Sequence, residues 1–205
     1  MDKIKYKNIT ISGLPGSGST TLLALLKDKF KFEGWTGFSG GEFMRQYAVE
    51  KGLYDNTHKI HHDAEAYGDE FDRQVDLDIR RKLQSQNKWI IESWLSGFMA
   101  QGLKNILKIL VYCSQDAVRV DRIVNRDMVS VEEAKTHINH RYQTNLAKWS
   151  RLYNQEWQKW VVATGNASSD EPIDFWKPEL YDLVIDTYSN NQQQTLNKVL
   201  DVIQL

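Results

Sequence analysis

A short segment near the start of the chain has the residue types and spacing of a phosphate-binding loop. It reads Gly13, Leu14, Pro15, Gly16, Ser17, Gly18, Ser19, Thr20 and Thr21. Glycines allow backbone conformations that other residues avoid, so successive N–H groups and a helix N-terminus can converge on a phosphate. The spacing fits G-x-x-x-x-G-K-[ST], except that Ser19 stands at the lysine position, and Thr20 would ligate Mg²⁺. An ordinary glycine-rich turn is the alternative, but the flanking strand and helix patterns favour a phosphate loop.

The missing lysine must be replaced by another cation. A unit charge ~4 Å from a phosphate oxygen is worth up to about 4 kcal/mol at an effective dielectric of roughly 20. Arg119, Arg122 and Arg126 recur at i, i+3 and i+7 and therefore share one helix face. A solvated face with Arg–Asp pairs would produce the same spacing. In a chain with a phosphate loop, we interpret these arginines, with Arg141 from the next helix, as a lid that closes on phosphates.

The elements that must position these residues alternate between strands and helices. The strand-like segments are residues 4–11, 89–92, 106–113 and 183–185. Helical patterns cover residues 20–30, 42–51, 71–83, 115–125, 131–160 in one or two pieces, and 195–203. Ser130 and Glu133 have the spacing of a capping box. This alternation predicts an α/β protein with a mainly parallel sheet covered by helices on both faces.

Composition and charge exclude several classes of protein. The 205 residues, of which 41% are hydrophobic and 26% charged, suit one substantial core. The 26 basic and 27 acidic residues nearly cancel, so we expect no binding to nucleic acid or to an anionic membrane surface. Cys113 is the only cysteine, which fits a reducing cytosol, and we expect it to be buried. The start of the chain does not read as a signal peptide, and the expected location is cytoplasmic.

Several ordered motifs resemble the cytidylate kinases, specifically the archaeal-type branch of the P-loop nucleoside monophosphate kinases. The resemblance covers roughly residues 9–187. The matching segments are the loop at 11–21 (ISGLPGSGSTT), 39–45 (SGGEFMR), 71–76 (FDRQVD), 90–92 (IIE), the arginine series, and 181–187 (YDLVIDT). In that branch a small hydroxyl residue commonly stands at the lysine position, so Ser19 is compatible with an active member.

The resemblance implies a P-loop three-layer sandwich of one domain, covering residues 1–205. It would carry a small helical insertion for the monophosphate at about 39–88 and an arginine-rich lid at about 119–141. It also implies transfer of a phosphoryl group from ATP, with Mg²⁺, to CMP or dCMP. Arg45 would grip the acceptor phosphate, while Asp72, Arg73 and Asp76 would lie near the cytosine. Glu92 would organise Mg²⁺ together with Thr20.

The sequence departs from the family pattern at two places. Trp94 stands where the branch usually has an arginine near the acceptor phosphate, and it would either stack on a base or pack in the core. The connection after about residue 154 is long, and its part at 163–178 is expected to be a disordered or variable loop. Two alternatives therefore stay open: a P-loop kinase for another nucleotide or small acceptor, and a nucleotide-binding protein that no longer turns over.

Three further expectations concern other parts of the chain. His58, His61 and His62 are interpreted as an exposed helix face and not as a metal cluster. Trp149, Tyr153, Trp157 and Trp160 recur at helical spacing and are expected to form a core or subunit-contact stripe. The expected assembly is a monomer or a weak homodimer.

Overall fold

A parallel sheet organises the chain in the computed structural model, which describes residues 4–50 and 68–203. Within these residues the sheet has five strands in the order β2-β3-β1-β4-β5, and every neighbouring pair is parallel. The strands are β1 (Asn8–Ser12), β2 (Thr36–Ser39), β3 (Trp89–Glu92), β4 (Ile106–Tyr112) and β5 (Leu183–Asp186). All five residues of β1 are buried, because this strand is central and has helices on both faces.

Helices cover both faces of the sheet. They are α1 (Ser19–Lys29), α2 (Gly40–Glu50), α3 (Asp69–Ser85), α4 (Ser96–Met99), α5 (Asp116–Asp127), α6 (Val131–Leu152), α7 (Asn154–Trp160) and α8 (Gln192–Ile203). One apolar core joins Ile9 and Ile11 of β1 to α1 and α8. The other joins Ile91 of β3 to α3, α4, α7 and the segment that precedes β5. The predicted α/β sandwich with a parallel sheet is thus confirmed.

Local signals account for several helix boundaries. Ser130 caps α6 through the predicted capping box, since its Oγ accepts from the N–H of Glu133 and its own N–H donates to the Glu133 carboxylate. The predicted helical stretch 131–160 divides at Tyr153 into α6 and α7. Within the described residues no helix is long and apolar enough to cross a membrane.

Two elements were missed by the sequence patterns. β2 is short, contains Gly37 and is only partly buried, so it has no clear apolar signal. It pairs with β3 in a register that places Ser39 opposite Glu92. The four-residue helix α4 is buried in the core and follows β3 directly. The end of β2 pairs with the end of β3, and α4 follows β3 in the chain, so both elements shape what surrounds Glu92.

The prediction of a disordered loop at 163–178 is wrong for its final part. Phe175 is fully buried and Trp176 nearly so, and both pack in the core beside Phe98 and Trp157. The hydroxyl of Tyr181 donates to the carbonyl of Phe175 at 2.7 Å, which ties this segment to the strand that follows. The aromatic side chains outweigh the polar composition of the segment because they bury a large apolar area.

Other expectations have mixed outcomes. Tyr153 and Trp157 are buried in the core as predicted, and Cys113 is buried at the end of β4. The three histidines at 58, 61 and 62, and the middle of the predicted insertion at 39–88, lie outside the described residues. The expectation of a monomer or weak homodimer stays a prediction.

Candidate active site

One large cavity, with a volume of about 930 Å³, lies at the carboxyl ends of β1, β2 and β3. This is the edge at which open parallel sheets generally bind ligands. Its wall is formed by the phosphate loop, the start of α2, one face of α3, the residues after β3, and parts of α5, α6 and the segment that follows β5. The cavity thus joins most of the residues that the sequence singled out.

The phosphate loop connects β1 to α1 in a conformation that needs its glycines. Gly16 and Gly18 have φ values of 79° and 96°, which side chains other than glycine rarely adopt. A Cβ on Gly16 would come within 2.7 Å of the carbonyl oxygen of Arg119, because α5 packs directly against the loop. The loop is closed by a hydrogen bond from the N–H of Ser17 to the carbonyl of Leu14 at 3.0 Å. Its shape is therefore held by backbone contacts.

Glu92 connects the phosphate loop to the start of α2. The hydroxyl of Ser19 donates to its Oε1 at 2.8 Å, and that of Ser39 donates to its Oε2 at 2.9 Å. Burial raises the pKa of Glu92, while these two hydrogen bonds oppose the shift. The residue at the usual lysine position thus contacts an acid. Thr20, predicted to ligate Mg²⁺, lines the same cavity and is exposed.

The predicted lid arginines do not all reach the cavity. Arg122 lines it and donates to the Gly16 carbonyl at 2.9 Å and to the Thr187 hydroxyl at 2.8 Å. Arg119 lies outside this cavity, where its Nε donates to the Pro15 carbonyl at 3.4 Å and its guanidinium pairs with Asp116. These two arginines therefore fasten α5 to the phosphate loop.

The remaining predicted arginines line the cavity from three helices. Arg126 on α5 is half-exposed and forms a two-pronged ion pair with Asp127 at 2.7 Å. Arg141 on α6 lies 5.3 Å from the ring centre of Trp94, and Arg45 on α2 also lines the cavity. With Arg122, these residues place four arginines and no lysine in the described part of the cavity wall. Arginine thus supplies the positive charge that the loop lacks.

Two carboxylates from α3 mark the other end of the cavity. The hydroxyl of Tyr153 donates to Asp76 Oδ2 at 2.6 Å, and Lys148 pairs with Asp72 at 2.7 Å. Burial raises the pKa of Asp76 to about 7, and the nearby charge of Asp72 adds to the shift while the Tyr153 hydrogen bond opposes it. Burial also raises the pKa of Asp72, opposed by the hydrogen bond and charge of Lys148. Asp76 therefore changes its protonation state close to neutral pH.

Arg73 and Trp94 have different positions relative to the cavity. Arg73 does not line it, because its guanidinium donates to the Leu152 carbonyl at 3.1 Å and pairs with Glu156. Trp94 lines the cavity and also packs edge-on against Trp149 and Trp176, with ring centres 5.5 Å and 6.0 Å away. Trp94 thus packs against the core and also lines the cavity, and its stacking on a base stays a prediction.

Comparison with known proteins agrees with this arrangement. The sequence profile of a family described as "AAA domain" matches residues 9–145. A cytidylate kinase of Methanosarcina acetivorans is 33% identical over 196 residues, which cover 92% of each chain. A cytidylate kinase of Methanosarcina barkeri is also 33% identical, over 191 residues and 92% of each chain.

The chain belongs to the cytidylate kinase family. The resemblance drawn from the sequence motifs is thereby confirmed. Among solved structures, shikimate kinase from Bacteroides thetaiotaomicron matches with a TM-score of 0.52 and 11% identity, over 97% of this chain and 99% of that one. At this identity the match shows the fold alone.

Within this cytidylate kinase fold, α6 brings residues to the cavity that sequence reasoning missed. Asn145 and Trp149 line the wall on the same helix face as Arg141. The sequence analysis assigned Arg141 to the lid and Trp149 to a core or subunit-contact stripe, and it did not consider Asn145. Lys148, which pairs with Asp72, was also missed, because the two residues lie 76 positions apart in the chain and only the fold brings them into contact.

Proposed function

We propose that the protein is a cytidylate kinase, which transfers the γ-phosphoryl group of ATP to CMP or dCMP. The observation that carries this proposal is the single cavity in which a phosphate loop and four arginines face the same space as Asp72 and Asp76. Membership of the cytidylate kinase family supports it. The cavity volume, about 930 Å³, suits a ligand larger than one nucleotide.

The phosphates of ATP would bind at the glycine loop. Residues 13–20 offer backbone N–H groups and the N-terminus of α1, while Arg122 and Arg126 add positive charge. Mg²⁺ prefers oxygen ligands, and the Glu92 carboxylate with the hydroxyls of Ser19 and Thr20 is a suitable donor set. When bound, the ion offsets the charge of the β- and γ-phosphates. The residues present therefore fit the ion that the family implies.

Phosphoryl transfer needs little chemistry from the side chains. An oxygen of the acceptor phosphate forms a bond to the γ-phosphorus, and the bond from that phosphorus to the β,γ-bridging oxygen breaks, so that ADP leaves. The acceptor oxygen is already a nucleophile, and no general base is required. Alignment and charge neutralisation do the remaining work. Arg45 would orient the acceptor phosphate, while Arg126 and Arg141 would stabilise the transferring group.

Recognition of the pyrimidine would depend on Asp76. A carboxylate accepts a hydrogen bond from the exocyclic amine of cytosine, whereas uracil has a carbonyl oxygen at that position and is repelled. Tyr153 holds Asp76 Oδ2, which leaves the other carboxylate oxygen for the base. Lys148 already pairs with Asp72, so Asp72 acts on the base only through its charge on Asp76.

An assay of ADP release tests this function. Wild-type protein with ATP and Mg²⁺ is supplied with CMP, dCMP, UMP, AMP or a sugar alcohol, and a reaction without acceptor is the control. We expect CMP and dCMP to give the highest kcat/KM. ADP release with a different acceptor alone would assign another substrate. ATP binding in calorimetry without product for any acceptor would instead indicate a binding protein.

A further inference from the structure

The segment that follows β5 is bonded to the phosphate loop through one hydroxyl group. Thr187 Oγ1 donates to the carbonyl of Ser17 at 2.6 Å, although the two residues lie 170 positions apart in the chain. The same oxygen accepts from the guanidinium of Arg122 at 2.8 Å. The Thr187 side chain therefore joins three parts of the molecule, namely the phosphate loop, α5 and the end of the sheet.

Arg122 holds the neighbouring peptide unit of the loop. Its Nη1 donates to the Gly16 carbonyl at 2.9 Å as well as to the Thr187 hydroxyl. Its Nη2 donates to the Thr187 carbonyl at 3.0 Å. Three hydrogen bonds fix the planar guanidinium in one orientation. Two successive carbonyls of the loop, those of Gly16 and Ser17, are thus held by side chains from distant parts of the chain.

These carbonyls set the direction of N–H groups in the loop. The described residues contain no cis peptide bond. In a trans peptide the carbonyl and the N–H of the next residue point in opposite directions. A fixed Ser17 carbonyl therefore fixes the N–H of Gly18, a residue that lines the cavity. The fixed Gly16 carbonyl in the same way directs the N–H of Ser17, which donates to Leu14 and closes the turn.

The glycines make such contacts necessary. Gly16 and Gly18 have φ values of 79° and 96°, but glycine can adopt many other backbone conformations at little cost. A site that must order its backbone when the ligand arrives binds more weakly than one that is already ordered. Hydrogen bonds that fix the loop in the free protein therefore favour phosphate binding.

Thr187 is itself held in place by its neighbours. Its N–H donates to the Tyr112 carbonyl at 2.8 Å, which extends the pairing of β4 with β5 by one residue. The carboxylate of Asp186 accepts from the N–H groups of Ser114 and Tyr188, at 2.9 Å and 3.0 Å. The sheet and the turn after it thus present the Thr187 hydroxyl to the loop in one position.

We propose that Thr187 is a positioning residue for phosphoryl transfer. With Arg122, its hydroxyl holds the carbonyls of the phosphate loop, so that the loop N–H groups have their phosphate-binding orientation before ATP binds. Thr187 acts through the loop, because its hydroxyl proton is engaged by the Ser17 carbonyl. The inference rests on the proposed function only in taking ATP as the phosphoryl donor.

Thr187→Val tests the hydroxyl, since valine keeps the shape and removes the hydrogen bonds. We expect the Kd for ATP in calorimetry to rise by about tenfold, and kcat to fall by a similar factor, while the Kd for CMP changes by less than about twofold. Thr187→Ser keeps the hydroxyl and should restore ATP binding and kcat. An unchanged Kd for ATP in Thr187→Val, or an equal loss in Thr187→Ser, overturns the proposal.

Thr164→Val is the matched control. The exposed hydroxyl of Thr164 also donates to backbone carbonyls, at 3.0 Å and 2.9 Å, but it lies outside the cavity. This variant should bind ATP as the wild type does. Thr187→Ala is a smaller second variant in case valine lowers the melting temperature, and it should show the same loss of ATP binding.

Amide hydrogen exchange in the ligand-free protein separates positioning from direct contact with ATP. The N–H of Ser17 is protected by its hydrogen bond to the Leu14 carbonyl at 3.0 Å. We expect this amide to exchange about tenfold faster in Thr187→Val than in the wild type or Thr164→Val, because the loop opens more often. A hydroxyl that only contacted ATP would leave the exchange rate unchanged, and that result overturns the proposal.

The two proposals fail in different ways. If the wild-type protein phosphorylates CMP while Thr187→Val shows normal ATP binding and normal exchange, this inference is wrong and the kinase function stands. If Thr187→Val weakens ATP binding and speeds exchange but the wild-type protein phosphorylates no CMP, the inference stands and the acceptor assignment is wrong. If the wild-type protein does not bind ATP, both are wrong.

Discussion

We call the part of the cavity proposed to bind ATP the donor end, and the part proposed to bind CMP the acceptor end. The donor end is built mainly from backbone, whereas the acceptor end is built from side chains of separate helices that contact one another. At the donor end, the loop is held by a turn, by the close approach of α5, and by Arg122 on the Gly16 carbonyl. At the acceptor end, Asp72 and Asp76 of α3 are held by Lys148 and Tyr153. The two ends thus depend on different kinds of interaction.

This difference affects how each end tolerates change. A backbone loop binds phosphate through N–H groups that every non-proline residue has, so side chains can vary provided the turn survives. The change from lysine to Ser19 is an example, because arginines on other helices line the same cavity. A side-chain site has no such freedom, since burial and particular neighbouring side chains set the pKa of each carboxylate. A substitution at one end should therefore change the kinetic constants that belong to that end and leave those of the other end unchanged.

The largest effect is expected from Arg126→Ala at the donor end. Arginines that stabilise the transferring phosphoryl group are worth about 10³ to 10⁵ in kcat. The substitution also removes the ion pair between Arg126 and Asp127. We expect kcat to fall by at least ~10³ while the Kd for CMP stays near that of the wild type.

Steady-state kinetics with CMP as the varied substrate checks this prediction. Arg81→Ala is the matched control, because Arg81 is exposed and pairs with Asp78 outside the cavity. Turnover of Arg126→Ala within tenfold of the wild type would contradict the role of Arg126.

A smaller effect is expected from Asp76→Asn at the acceptor end. Asparagine keeps an oxygen acceptor but removes its charge. A hydrogen bond to a charged group is worth about 1.5 to 3 kcal/mol, so kcat/KM for CMP should fall by roughly tenfold, with about 150-fold as the upper limit. The KM for ATP should be unchanged. Asp76→Asn should thus weaken the use of CMP, whereas Arg126→Ala should lower kcat and leave the binding of CMP unchanged. Kinetics with each substrate varied in turn measures both constants, and an equal rise in both KM values would show that the two ends are not separable.

The pH dependence sharpens the same comparison. Burial raises the pKa of Asp76 to about 7, and the ionised carboxylate is the stronger acceptor for the cytosine amine. The KM for CMP should therefore rise as the pH falls through about 7, and Asp76→Asn should remove that component. Any dependence that remains in the variant belongs to the substrate phosphate or to other groups.

The smallest effect is expected from Tyr153→Phe. It removes a hydrogen bond that opposes the rise in the pKa of Asp76, so that pKa should increase further. The pH at which the KM for CMP starts to rise should move upward, and the free energy of unfolding should fall by about 1 kcal/mol. KM profiles and urea titrations measure the two effects. A loss of stability with an unchanged pH profile would reduce Tyr153 to a packing role.

Prediction from sequence worked best where the necessary residues are adjacent in the chain. The phosphate loop, β1 and α1 form one contiguous signal, and Ser130 with Glu133 marks the start of α6 in four residues. It worked less well for β2, because its four residues show no apolar pattern and form a strand by pairing with β3. It was wrong about disorder near Phe175, because a polar composition gives no sign of distant aromatic partners.

Within the site, the spacing of residues in the sequence could indicate which of them share a helix face, but not which residues that face contacts. Arg119, Arg122 and Arg126 were correctly predicted to share one helix. Only the packing of α5 on the loop shows that Arg119 bonds to the Pro15 carbonyl outside the cavity, whereas Arg126 lines the cavity. Arg73 was grouped with Asp72 and Asp76, but its helix face meets Glu156 instead.

The sequence by itself indicated the family through the resemblance of its ordered motifs. It indicated the parallel α/β fold and the phosphate loop through local backbone preferences and hydrophobic periodicity. Tertiary structure decided which arginines line the cavity, that Ser19 contacts Glu92, and that burial raises the pKa of Asp76 to about 7. The reason is physical. Charge and protonation depend on burial and on partners a few ångströms away in space, and residues far apart in the chain supply those partners.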